Sequence, residues 1–174
     1  MTIAIRPATP ADIPAITEIY AESVRTGTAS FELEPPDETE MARRMHEIVG
    51  KGFPYLAADD AGQFAGYAYA ALYRTRPAYR FTVEDSVYVA PGRQGRGVGR
   101  TLLTALVEAC AARGFRQMIA VIGDSPRQAG SVALHKAAGF QHIGILPDVG
   151  FKHDHWCDTL LMQRPLGDGG RSSP

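Results

Sequence analysis

The segment Val87-Tyr88-Val89-Ala90-Pro91-Gly92-Arg93-Gln94-Gly95-Arg96-Gly97-Val98-Gly99-Arg100 constrains this chain more than any other. A strand-like run ends at Pro91, a loop of glycines and arginines follows, and the loop enters a helix that puts Leu102, Leu103, Leu106 and Cys110 on one side. Such a junction turns free backbone N–H groups and the positive end of a helix dipole toward one point, which suits a phosphate. Glycine lets the backbone approach closely and adopt left-handed angles, and Arg93, Arg96 and Arg100 add positive charge. Two common phosphate loops are excluded. A Walker loop needs Lys and then Ser or Thr after Gly97, where Val98 and Gly99 stand, and G-x-G-x-x-G fails whether counted from Gly95 or from Gly97. What remains is Gln94-x-x-Gly97-x-Gly99 at the mouth of a helix. The competing reading is an ordinary glycine turn with solvated arginines.

A chain of 174 residues, 45% hydrophobic and 21% charged, is expected to fold as one globular domain with a real core. That domain is placed at 1–164, and the composition of 165–174 suggests a disordered tail. A net charge of −1 gives no electrostatic support for a nucleic-acid partner. No apolar run reaches membrane-spanning length, and the stretch Met1 to Arg6 lacks the apolar core of a signal peptide, so no membrane partner is expected. Two cysteines, Cys110 and Cys157, do not make a disulfide framework, and a cytoplasmic setting is the default.

Periodicity predicts a strand near Ile3 and Ile5, then a helix after Thr9-Pro10 carrying Ile13, Ile16, Ile19, Tyr20 and Val24. A charged helix follows from Asp37 to Val49. Strands are predicted at Phe53 to Ala58 and Gln63 to Tyr73, joined by a turn at Asp59 to Gly62, with Gly66 as a bulge position. Phe81 to Val89 is the next strand, and Gly114 stops the helix that begins at Val98. The apolar run Gln117 to Ile122 is expected at the centre of the sheet. A short helix spans Ala129 to Ala138, and Phe140 to Gln163 reads as two strands around a turn near Pro147. The order is that of a mixed α/β sheet, with the ligand expected where the strands part.

The loop from Gln94 to Gly99 resembles the pyrophosphate loop of the GNAT superfamily, the acetyl-CoA-dependent N-acyltransferases, and the order of elements matches that fold. More specific runs resemble the branch that acetylates phosphinothricin and methionine sulfoximine. They are Thr28-Ala29-Ser30-Phe31, Arg74-Thr75-Arg76-Pro77-Ala78-Tyr79, Thr82 to Val89, Ala120-Val121-Ile122-Gly123, Leu134-His135 with Gly139-Phe140, and Gly150 to His153 with Trp156 and Asp158. They span Ile5 to about Leu161. The resemblance implies an α/β GNAT fold, with a mixed but mostly antiparallel central sheet splayed at the acyl-CoA cleft and flanked by helices. It also implies acetyl-CoA as co-substrate, a small-molecule amine as acceptor, and a homodimer.

By that resemblance Glu84 is the general base. An ammonium has no lone pair, so a carboxylate near the acyl group can remove its proton, and partial burial tunes such a group toward neutral pH. On spacing alone Glu84 reads equally as a solvated strand charge. Glu84, Ser86 and Tyr88 share one strand face, and Asp85, Val87 and Val89 share the other. Val87, Tyr88 and Val89 are expected to offer backbone groups to the pantetheine arm. Gln94, Gly95, Arg96, Gly97, Val98, Gly99 and Arg100 are expected to hold the pyrophosphate. Arg74 and Arg76 suit the acceptor's acidic groups. Phe31 and Tyr79 line its pocket, and Asp85, Ser86 and Lys152 complete the substrate set. Gln128, Ser131 and His135 share a helix face. Gln128 stands where relatives often carry Asn. His135 stands where many carry Tyr, and it either protonates the leaving thiolate or only contacts the cofactor.

His153, His155 and Cys157 alternate, so a strand displays all three on one face, a pattern thinkable for zinc. No fourth ligand with regular spacing is visible, an edge strand explains the alternation equally, and no metal is expected. Cys110 reads as core. The expected activity is direct acetyl transfer to the α-amine of a phosphinothricin- or methionine sulfoximine-type amino acid, with no acyl-enzyme. Alternatives are another amine (a different amino acid, a polyamine, an aminoglycoside or a protein N-terminus), a non-catalytic acyl-CoA-binding sensor, and a structural domain. Arg74 and Arg76 speak against cationic acceptors.

Overall fold

A computed structural model describes residues 3–174 of the chain; Met1 and Thr2, which belong to the N-terminal stretch examined for a leader, lie outside the described residues. The elements are β1 (Ile3–Pro7), α1 (Ile13–Thr26), α2 (Glu38–Gly50), β2 (Tyr55–Asp60), β3 (Gln63–Leu72), β4 (Thr82–Val89), α3 (Val98–Ala112), β5 (Gln117–Gly123), α4 (Ala129–Ala137), β6 (Gln141–Lys152) and β7 (His155–Pro165). The strands form one sheet in the order β1-β2-β3-β4-β5-β7-β6. Every neighbouring pair is antiparallel except β4 and β5. This is the mixed, mostly antiparallel sheet that the resemblance implies, and β5 lies inside it as its apolar run predicts. Among the described residues no helix is long and apolar enough to cross a membrane.

Alternation along the strands sorts the core into two layers. Tyr67 of β3 packs with Ile16, Tyr20 and Val24 of α1 and Met41 and Met45 of α2. Its neighbours Ala68 and Ala70 face Leu102, Leu103, Leu106 and Cys110 of α3. Full burial of each such leucine stabilises by about 1.5–3 kcal/mol. The α1/α2 side carries a run of tyrosine rings: Tyr55 stacks on Tyr69 at 4.9 Å between centroids, Tyr67 on Tyr88 at 5.1 Å, and Tyr20 meets Tyr88 edge-on at 5.3 Å. Asp37 caps α2 by accepting from the Glu40 N–H at 2.8 Å.

Two local expectations change. The reversal between β6 and β7 falls at His153-Asp154, not near Pro147. Both residues are left-handed, φ 49° and 59°, as a two-residue hairpin loop of the I′ kind requires. Pro147 and Asp148 instead lie in a register shift between Leu146 and Gly150, with Asp148 at φ 53°. The turn-forming residues there bend one long strand. The bulge expected at Gly66 is present: Ala58 pairs with Gly66 and Asp59 with Phe64, which leaves Ala65 of β3 as the extra residue. Gly66 serves close packing, because a Cβ there would lie 2.5 Å from the Tyr88 carbonyl oxygen. Leu166 departs from the expectation of a disordered 165–174 segment. It is buried in the α3 core, and Arg116 donates to Ser172 Oγ and the Ser173 carbonyl.

Candidate active site

The parallel pair β4 and β5 stays together for only three residues. Thr82, Val83 and Glu84 match Gln117, Met118 and Ile119, while β3 follows β4 as far as Val89. Beyond Glu84 one edge of β4 therefore has no strand beside it. The gap is a cavity of about 310 Å³ whose lining includes Phe31, Glu84, Ser86, Gln128 and His135. Small-molecule sites favour such concave breaks in a sheet.

Glu84 is half-buried on this cavity. Burial lifts its carboxyl to about 7, the neighbouring Asp85 charge adds to the lift, and Arg74 works against it. A carboxylate poised near neutrality can take a proton from an ammonium and return it to solvent. Asp85, on the opposite face of β4, is buried, and its Oδ2 lies 2.9 Å from His135 Nε2. His135 Nδ1 donates to the Ser131 carbonyl at 2.8 Å. A carbonyl only accepts, and a carboxylate favours a donor, so both ring nitrogens face acceptors, an arrangement that favours the imidazolium. Burial pulls the His135 pKa down, but the bond and charge of Asp85 outweigh it and the net direction is up. Sequence reasoning grouped Asp85 with the substrate contacts. The fold gives it to His135, a pairing across 50 residues that no local pattern announces.

Gly92, Gly95 and Gly97 all adopt left-handed φ, at 74°, 75° and 89°, so the loop's turns require glycine. The first bond of α3 runs from the Thr101 N–H to the Gly97 carbonyl at 3.0 Å. The N–H groups of Val98, Gly99 and Arg100 are thus left at the open helix end. Asp60, at the end of β2, organises the loop from below. It is buried, accepts from Arg93 Nη1 at 2.8 Å and lies 3.6 Å from Arg96 Nη1. The sequence presented it only as part of a hairpin turn. Gln94 makes a long bond, 3.4 Å, to the Val89 carbonyl.

On the acceptor side, the Phe31 ring rests on two glycines. A Cβ at Gly123 or Gly150 would come within 2.6 and 2.4 Å of it. Lys152, expected to contact substrate, is 3% exposed and donates from Nζ to the Ser30 carbonyl at 2.7 Å, so it supports the Phe31 loop. The Ser30 hydroxyl meets Tyr20 Oη at 2.9 Å, and Tyr20 donates to Glu32, which pairs with Arg44 of α2 at 2.6 Å. Gln128 lines the cavity but reaches Thr28 Oγ1 only at 3.5 Å. Arg74, Arg76 and Tyr79 line a separate recess, and the Arg74 guanidinium lies over the Tyr73 ring at 5.1 Å. The fold thus brings Phe31, Glu84, Asp85, Ser86, Val87, Tyr88, Gln128 and His135 around one cavity and leaves the two arginines outside it. His153 is not on a strand face with His155 and Cys157. It sits in the hairpin turn, with Nε2 3.2 Å from the Gly27 carbonyl.

Known proteins share this fold. The family model for the acetyltransferase (GNAT) domain matches residues 5–161. A phosphinothricin N-acetyltransferase of Alcaligenes faecalis is 56% identical over 163 residues, which cover 94% of this chain and 82% of that protein. An L-methionine sulfoximine/L-methionine sulfone acetyltransferase of Pseudomonas aeruginosa is 38% identical over 175 residues and covers 100% of both chains. The crystal structure of a GNAT superfamily phosphinothricin acetyltransferase from Sinorhizobium meliloti, in complex with AcCoA, superimposes with a TM-score of 0.96. It is 52% identical, covering 100% of this chain and 94% of that one.

Proposed function

The chain belongs to the GNAT acetyltransferase family, and from that premise we propose that it moves the acetyl group of acetyl-CoA to the α-amine of phosphinothricin- or methionine sulfoximine-type amino acids by direct transfer. The observation that carries this reading is Glu84, a carboxylate raised to about 7, at the point where β4 leaves β5. The left-handed glycines and free N–H groups before α3 fit a pyrophosphate, and the unpaired edge of β4 fits an amide-bearing arm laid beside it as an extra strand.

Glu84 accepts the ammonium proton, directly or through water, and the freed amine attacks the thioester carbon. Backbone N–H groups at the open strand end meet the negative charge that develops on the carbonyl oxygen. The C–S bond breaks, and the thiolate takes a proton. The His135 imidazolium, locked between Asp85 and Ser131, supplies positive charge beside that step. Neither cysteine serves as an acyl carrier: Cys110 is core, with its thiol pushed up to about 12 by burial. Arg74 and Arg76 hold the acceptor's acidic groups from the neighbouring recess. Exposed Ile145, Val149 and Phe151 on β6, with Trp156 on β7, support a homodimer that covers them.

The test is a thiol-release assay with acetyl-CoA and phosphinothricin, methionine sulfoximine, the common amino acids and spermidine. Release with the first two and not with spermidine is the expected result. Release with spermidine alone overturns the acceptor assignment, and release with no amine overturns the activity.

A further inference from the structure

Asp124, His155 and Cys157, three side chains with no part in the acetyl transfer proposed above, converge beside the Thr28–Phe31 loop. Asp124 Oδ2 lies 3.2 Å from His155 Nε2, and Cys157 Sγ lies 3.4 Å from the same nitrogen. One ligand atom from each of the three falls within 4.8 Å of the others. A tetrahedral zinc ion bound to carboxylate oxygen, imidazole nitrogen and thiolate has bonds of about 2.0–2.3 Å, which set the ligand atoms about 3.3–3.6 Å apart. The two contacts of His155 already approach that spacing.

Two further observations point the same way. His155 Nδ1 lies 3.1 Å from the His153 carbonyl. That oxygen only accepts, so Nδ1 carries a proton, and Nε2 is the ring atom turned toward Asp124 and Cys157, the one a metal would take. Metal-ligating histidines are oriented by bonds of this kind. A positive group also sits against two of the three: Arg127 Nη1 is 3.2 Å from Asp124 Oδ2 and touches His155 Nε2. The Arg127 side chain is 61% exposed, so solvent can receive it when a cation takes over these two contacts. Asp124 is tied down by its backbone bond to the Asp158 carbonyl at 2.9 Å, and Cys157 is buried.

We propose that Asp124, His155 and Cys157 form a binding site for a zinc-class divalent cation, distinct from the acetyl-transfer centre. Arg127 withdraws, the Cys157 thiol proton passes to solvent, and water fills the fourth position. Thiolate and imidazole favour zinc and cobalt over magnesium or calcium. The proposal does not depend on the acceptor assignment.

Titrating Co²⁺ into the reduced full-length protein tests it. The expected result is one equivalent bound, with a thiolate charge-transfer band that Zn²⁺ abolishes as it displaces the cobalt. Cys157→Ser should remove the band, and His155→Gln should weaken Zn²⁺ binding at least 10-fold, while His46→Gln on α2 leaves both unchanged. Should Cys157→Ser fail to fold, thermal unfolding decides: Zn²⁺ raises Tm in the parent and not in His155→Gln. Absence of a charge-transfer band in the parent, or equal Zn²⁺ affinity in His155→Gln, overturns the proposal.

Discussion

The Asp85 carboxylate and the His135 imidazole meet at 2.9 Å on the side of β4 turned away from Glu84. One buried charge therefore acts in two directions. It raises the pKa of His135 against the pull of burial, and through the strand it helps keep Glu84 from ionising too early. Two adjacent carboxylates thus end with different tasks because strand alternation gives them different surroundings.

Glu84→Gln should lower kcat by roughly 100-fold or more with acetyl-CoA affinity nearly unchanged, since a base is lost and a shape is kept. In the parent enzyme activity should rise with pH through about 7, where the Glu84 carboxyl ionises. Steady-state rates across pH check both, and a parent profile flat through that range would remove Glu84 from the role.

Asp85→Asn should move that ascending limb to lower pH, because a neighbouring negative charge disappears. It should also destabilise the fold. A histidine whose folded pKa is raised contributes stability that is complete below its ordinary value near 6.5 and fades as pH climbs through the raised one. The loss, about 1–3 kcal/mol, should be larger at about pH 6 than at about pH 9. Denaturant unfolding at the two pH values measures it.

Asp60→Asn should release Arg93 and Arg96 from their shared anchor. KM for acetyl-CoA should rise by roughly 5- to 10-fold, as expected for about 1 kcal/mol of lost pre-organisation. Acetyl-pantetheine, which lacks the pyrophosphate, should show no change. An equal loss for both donors would mean that Asp60 acts only on the fold.

Gly150→Ala should push the Phe31 ring off its seat, since the added carbon lies 2.4 Å from it. Phe31 is partly exposed and can yield. The amine KM should therefore rise several-fold while Tm falls only a few degrees. Kinetics and thermal melts on the same preparation separate the two effects.

The sheet and its helices could be read from the chain because each is written locally, in alternation or helical spacing, whereas Glu84 stood out only through the family resemblance. Asp85–His135, Asp60–Arg93 and Lys152–Ser30 could not, because each joins residues 33 or more positions apart. Pro147 misled for a related reason. Proline and aspartate mark a bend, and only the pairing with β7 decides whether the bend reverses the strand or kinks it. The arginines of Arg74 to Arg76 showed their charge but not their distance from the cavity.

The early separation of β4 from β5 gives the domain an open seam in its own middle. Sheets ordinarily close such seams with another strand, and by the function proposed above a bound ligand takes that place here. The fold's resistance to heat should accordingly track the concentration of a ligand that fills the seam.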